Sequence, residues 1–142
     1  MSLSKKESLV TVCGLYCGKC AIYNGGIRDT AKKLGELLRA HGLTKETMAM
    51  IPGVDWYDGF ENGLNWCQDT VKCGGCRSDM RFNPVCELHK CCVQEKGLDF
   101  CFECDQFPCD TVRRFEQQFF PCIDTLQKIR EAGVAEWARQ QE

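Results

Sequence analysis

Thirteen cysteines, arranged so that three pairs have exactly two residues between them, constrain this chain more than any other feature. They are Cys13, Cys17, Cys20, Cys67, Cys73, Cys76, Cys86, Cys91, Cys92, Cys101, Cys104, Cys109 and Cys122. Disulfides or metal could use so many thiols. Disulfides persist in oxidising compartments. The first seven residues carry charge and no apolar stretch of signal-peptide type, so the reducing cytoplasm is the expected location. An odd count would also leave one thiol over after full pairing. The close pairs Cys17/Cys20, Cys73/Cys76 and Cys101/Cys104 favour metal, because a two-residue gap turns both thiolates onto one ion while intervening amides point at sulfur.

The close pairs fall into three clusters. The first is Cys13-Gly-Leu-Tyr-Cys17-Gly-Lys-Cys20. The second is Cys73-Gly-Gly-Cys76, followed by Cys86 and Cys91; the third is Cys101-Phe-Glu-Cys104, followed by Cys109. Glycines in the first two clusters permit close approach of an amide to a thiolate. Structural zinc takes four ligands in a closed tetrahedron. Cys73, Cys76, Cys86 and Cys91 are therefore expected to form one site from a continuous stretch; the competing reading makes Cys86 or Cys91 a buried free thiol on a helix. Cys13, Cys17, Cys20, Cys101, Cys104 and Cys109 could form one site across the two ends of the chain, or a pair with shared or non-cysteine ligands. Spacing does not choose between these. Cys67, Cys92 and Cys122 lie outside the knuckle spacing and read as ordinarily buried thiols. His89, between Cys86 and Cys91, offers a ligand nitrogen but is left out of the ligand set and reads as solvent-facing.

The expected fold is mostly α: a small single domain over residues 1–142, built of short helices with cysteine-rich, metal-stapled loops of zinc-knuckle type. The metal module covers about residues 67–109 and packs with the 13–20 cluster. Val10-Thr-Val12 reads as a strand stub. A helix over 29–41 follows from Asp29 as cap, apolar positions at 31, 34, 37 and 38, and Gly42 beyond its end. Thr44 caps a short helix that Pro52-Gly53 ends, and Asp55 a third helix with Trp56, Phe60 and Leu64 on one face. A helix around 86–96 stops at Gly97. Val112, Phe115 and Phe119 share a helical face, Pro121 starts the next helix with Ile123, Leu126 and Ile129 inside, and a last short helix carries Val134, Trp137 and Ala138.

Composition narrows the function classes. A net charge of −2 gives no broad basic field for nucleic acid or an anionic membrane, and no apolar run is long enough to span a bilayer. Each zinc with four thiolates adds two further negative charges, and Lys19, Lys72, Arg77 and Lys90 beside the ligands read as local compensation. Two histidines and no acid–base constellation give hydrolase chemistry little support. The leading expectation is a non-catalytic binding or scaffold protein holding two or more structural zinc ions, with a protein or small molecule as partner. Close cysteine pairs with basic neighbours also suit a thiol redox or zinc-thiolate transfer enzyme. An iron–sulfur electron carrier is the third class, because thiolates alone do not name the metal. Cys-x3-Cys-x2-Cys at 13–20 is similar to the cluster motif of radical enzymes that use S-adenosylmethionine, but Lys19 replaces their usual aromatic residue and the chain is too short for their barrel. The bacterial ferredoxin run is absent.

The combination resembles a family of small uncharacterised microbial proteins presumed to bind zinc, domain-of-unknown-function family 3795. The matching pieces are the 13–20 cluster with Tyr23, Cys73-Gly-Gly-Cys76-Arg77, Cys86-Glu-Leu-His-Lys-Cys91, Glu95-Lys96-Gly97 and Cys101-Phe-Glu-Cys104-Asp-Gln-Phe-Pro-Cys109. They extend over roughly residues 10–140. The resemblance implies ten cysteines as metal ligands (13, 17, 20, 73, 76, 86, 91, 101, 104 and 109). It omits Cys67, Cys92 and Cys122, implies a usually basic position 89, and carries no activity to transfer.

Overall fold

The computed structural model describes residues 3–141. Its contacts divide the chain into two compact units. One takes the N-terminal segment to Cys20 together with Gly74 onward, and the other takes Ala21–Cys73. The mostly helical expectation holds, with no strand among the described residues.

The Ala21–Cys73 unit contains α1 (Gly26–Ala40), α2 (Lys45–Met48) and α3 (Tyr57–Asp69). Helix α1 begins before the expected cap. Gly25 turns the chain at φ +81° and the Asn24 side-chain oxygen accepts from the Gly26 amide at 3.0 Å. Asp29 thus lies inside the first turn, where a carboxylate suits the positive helix end. Gly42 follows the helix at φ +70° and donates to the Arg39 carbonyl, as expected for a residue that only glycine fills without strain. Thr44 caps α2 in a reciprocal arrangement with Thr47. Helix α3 starts at Tyr57, and the buried residue of its first turn is Tyr57, while Trp56 stays 60% exposed. The reason is polar: the Tyr57 hydroxyl donates to the Leu43 carbonyl just past the end of α1. Gly35 lets α1 approach α3, since a Cβ there would meet the Gln68 side chain at 3.2 Å.

In the other unit Val10 and Val12 are fully buried, but they form only an isolated bridge, Val10 to Tyr16, closed by the Thr11 amide on the Leu15 carbonyl at 2.8 Å. The helix expected around 86–96 is present as α4 (Glu87–His89), which runs on as π-helical turns over Lys90–Glu95. There the Lys96 amide reaches back five residues to the Cys91 carbonyl, and Gly97 at φ +64° ends the run. Helix α5 (Asp110–Gln118) buries Val112 and Phe115. Phe119 lies past its last turn and is 62% exposed, although its ring still tilts onto Phe115 at 4.8 Å. Helix α6 (Ile123–Ala132) buries Leu126 and Ile129, and the Glu116 carboxylate accepts from both the Cys122 and Ile123 amides to cap it from α5. Gly133 at φ +84° leads into α7 (Val134–Gln140), which buries Ala138. The core of this unit joins Val12, Leu88, Val112, Phe115 and Leu126, with thiols of Cys13, Cys92, Cys101 and Cys122 among them.

Candidate metal-thiolate site

The thiols of the Gly74-containing unit gather in one core, some around Cys13 and some along a cleft, and Cys13 lies near enough to Cys101 to raise it. Cys86 stands at the N-cap of the helix 87–95 and Cys91 five residues later. On a helix, five residues carry a side chain about 140° around the axis, so the two sulfurs leave in different directions. Cys91 faces a small cleft lined also by Cys101, Cys104, Cys109 and Lys96. The cleft leaves about 20 Å³ of free space, room for one water or one ion and too little for an organic substrate. Cys86 falls instead with Cys76 beside Cys13, close enough that each of the two raises the cost of ionising Cys13. Cys73, Cys76, Cys86 and Cys91 therefore do not come together as the single four-thiolate group expected from their continuity. Cys73 belongs to the Ala21–Cys73 unit.

Main-chain amides pull the thiol acidity range of three of these cysteines downward: Leu15 acts on Cys13, Val12 on Cys76 and Gln106 on Cys104. Two of the three come from the residue two places after the cysteine, the geometry that a tight cysteine turn produces. The Thr11 hydroxyl adds a 3.1 Å contact to Cys13 Sγ. In the cleft, Lys96 Nζ donates to Cys104 Sγ at 3.0 Å and to Gln106 Oε1 at 3.3 Å.

These surroundings separate the thiols. Burial pushes Cys13 up to about 11 and also raises Cys76 and Cys91. Cys101 is raised by its hydrogen bond with the Cys92 thiol and by burial. Cys104 is held below the usual thiol range by the Lys96 ammonium and then by the Gln106 amide. The Arg77 and Arg81 guanidiniums pull Cys76 downward against burial. Each of those arginines also has a buried Nε with no hydrogen-bond partner, and Arg77 Nε lies 3.8 Å from the Asp99 carboxylate. Buried cationic donors beside a sulfur cluster suit thiolates, which would accept from them, better than neutral thiols.

Cys17 is buried and Cys20 half-buried at either end of a 3₁₀ turn. Cys67 is half-buried on α3. Cys92 is buried as expected, but it also lines the cleft, and its free thiol is hydrogen-bonded with that of Cys101. Cys122 is only 1% exposed, and burial lifts its thiol to about 12. His89 is buried rather than solvent-facing, at 6% exposure, because α4 turns it inward; burial and then the neighbouring Arg81 and Arg77 lower its pKa from the usual imidazole value. Spacing rules did not single out Lys96 or Arg81. Lys96 is visible in the sequence as part of the Glu95-Lys96-Gly97 piece of the family resemblance, directly before the helix-ending Gly97. Among the described residues no group of three or more Cys, His, Asp or Glu side chains stands ready to hold a metal ion. The fold supplies clustered sulfurs and their donors, while metal-stapled loops are not seen in it.

The order of these cysteine pieces matches one family over residues 9–114, the family described as protein of unknown function DUF3795. The chain belongs to that family. The DUF3795 match contains all ten knuckle cysteines as well as Cys67 and Cys92, and it leaves Cys122 outside. No curated protein and no solved structure matches the chain.

Proposed function

We propose that this DUF3795 protein is a zinc-thiolate module, a non-catalytic binding or scaffold protein that holds two or more zinc ions through Cys13, Cys17, Cys20, Cys73, Cys76, Cys86, Cys91, Cys101, Cys104 and Cys109. The observation that carries this reading is the cleft that Cys91, Cys101, Cys104 and Cys109 line together, where Lys96 Nζ lies 3.0 Å from Cys104 Sγ. A neutral thiol gains little from such a donor, whereas a metal-bound thiolate needs it to spread its charge. Cys91, Cys101, Cys104 and Cys109 line one small cleft, and in this reading they are the four ligands of one ion. Cys13, Cys76 and Cys86 begin a second, and Cys17, Cys20 and Cys73 complete the ten. Ligation requires the sulfurs of each group to turn onto a common ion.

The location proposed is the cytoplasm, where free thiols are stable. No helix among the described residues is long and apolar enough to cross a membrane. The partner class is a protein or small molecule rather than nucleic acid, given the slightly acidic chain. A thiol redox or zinc-transfer role is the second reading, favoured by the Lys96–Cys104 pair.

Elemental analysis and a visible absorption spectrum of anaerobically purified protein test the proposal. Two or more zinc per chain and no colour are expected. Stoichiometric iron with a brown spectrum would make this an iron–sulfur protein, and metal-free folded protein would end the metal reading altogether.

A further inference from the structure

Helix α3 carries two glycines that the chain itself does not need. Gly35 on α1 has an internal reason, since a Cβ there would meet the Gln68 and Leu64 side chains. Gly59 and Gly63 have none. Both lie within α3 at ordinary helical φ, and a Cβ on either would meet nothing within 4 Å. An interior glycine weakens a helix, so these two exposed ones loosen α3 without relieving any crowding inside the molecule. What a missing Cβ does supply is the close approach of a second backbone.

The two glycines share a face with the exposed aromatic side chains of the helix. At about 100° per residue, Trp56, Gly59, Phe60, Gly63 and Trp66 fall within one stripe about 120° wide. No charged residue of α3 falls on it. The other side of α3, with Tyr57 buried and Leu64 half-buried, packs toward α1. Trp56 is 60%, Trp66 50% and Phe60 38% exposed, and the Trp56 ring stands edge-on to Phe60 at 6.4 Å. The order along the stripe is palindromic: Trp56 and Trp66 are each five residues from Glu61, and Gly59 and Gly63 are each two.

We propose that this stripe is a dimer contact and that its occupant is α3 of a second copy of this chain. A pattern symmetric about its own midpoint is complementary to itself read backwards. Two antiparallel α3 helices, related by a twofold axis at the level of Glu61, bring Trp56 level with the partner's Trp66 and Gly59 level with the partner's Gly63. The glycines let the two axes come close at the middle, and a tryptophan pair covers each end, about 15 Å apart along the helix. A helix of unrelated sequence would have no cause to match this symmetry. The three aromatic side chains expose on the order of 300 Å² per protomer, well below the roughly 800 Å² per partner of a standard stable interface. The dimer is therefore weak and concentration-dependent. The contact uses no residue of the zinc-thiolate reading.

Sedimentation equilibrium of the full chain, from low to several hundred micromolar under a phosphine reductant, tests this. Wild type should pass from monomer to dimer across that range. G59A/G63A, which adds two methyl groups pointing into open space, should weaken association about tenfold. The same variant should raise the melting temperature of the dilute monomer, because alanine favours the helix. W66A should weaken association at least as much while circular dichroism shows the fold intact. A wild type that stays monomeric throughout overturns the proposal and leaves the stripe to a different protein. Association unchanged in G59A/G63A overturns it by placing the contact on another face. Species larger than the dimer also overturn it, because they require a head-to-tail contact. So does a lower monomer melting temperature in G59A/G63A, which would mean that the glycines serve the fold itself.

Discussion

Arg77 Nη1 donates to the carbonyl of Val10 at 2.8 Å, across 67 residues of sequence. Its Nη2 donates to the Asp99 carbonyl at 2.8 Å, and its guanidinium lies 4.8 Å from the centre of the Phe100 ring. One side chain therefore ties the segment before the first cysteine cluster to the segment before the third, directly beside the Cys73/Cys76 pair. The planar fork of arginine can reach both carbonyls together, which an ammonium cannot do.

Arg77→Met should accordingly destabilise the chain by about 2–3 kcal/mol, the loss of two hydrogen bonds from a charged donor and a ring contact. Arg77→Lys should recover less than half of that. Urea denaturation followed by circular dichroism measures both, and a Lys variant as stable as wild type would show that charge alone matters here.

The proposed sharing of the thiols between two ions has a stoichiometric consequence. Cys76 sits with Cys13 and Cys86, whereas Cys91 sits with Cys101, Cys104 and Cys109. Cys76→Ser and Cys91→Ser should each lose one zinc per chain, and the double variant should lose two. Had the continuous stretch 73–91 formed one site, both single variants and the double variant would lose the same ion. Zinc content by mass spectrometry decides between these patterns.

Cys122 gives a pH signature independent of metal. Its thiol is lifted to about 12 by burial, above its value in the unfolded chain near 9. The folded form thus keeps a proton that the unfolded form releases, so the contribution is fully present below pH 9 and fades as pH rises toward 12. Stability of the wild type should fall across that range, and Cys122→Ala should fall less steeply while keeping its zinc. The same substitution should cost about 1–2 kcal/mol at neutral pH, since the residue is wholly buried in the core of its unit. Equal slopes for the two proteins would assign the pH dependence to other groups.

Much of the scaffold was legible because local chemistry determines it. Gly42, Gly97 and Gly133 end their helices at positive φ, and Thr44 caps α2, for reasons contained within a few residues of each. Leu126, Ile129, Val112 and Phe115 are inside because their helical spacing permits little else. Starts were less legible. Asn24 and Gly25 displaced the expected Asp29 cap, and Tyr57 displaced the apolar Trp56 face, because each was decided by a hydrogen bond that spacing does not display.

The sequence by itself determined that this is a helical, cysteine-rich member of one family, with ten thiols in the spacing of the family's pieces and three outside it. Tertiary structure alone decided which thiols meet. Cys86 and Cys91 are neighbours along the chain, yet only Cys91 lines the cleft while Cys86 acts on Cys13, and Cys13 reaches Cys76 only because the chain folds back. Lys96 and Gln106 converge on Cys104 for the same reason. Spacing along a chain fixes which sulfurs can share a turn, but the direction of each Cα–Cβ bond, and so its partners, depends on the helix that carries it.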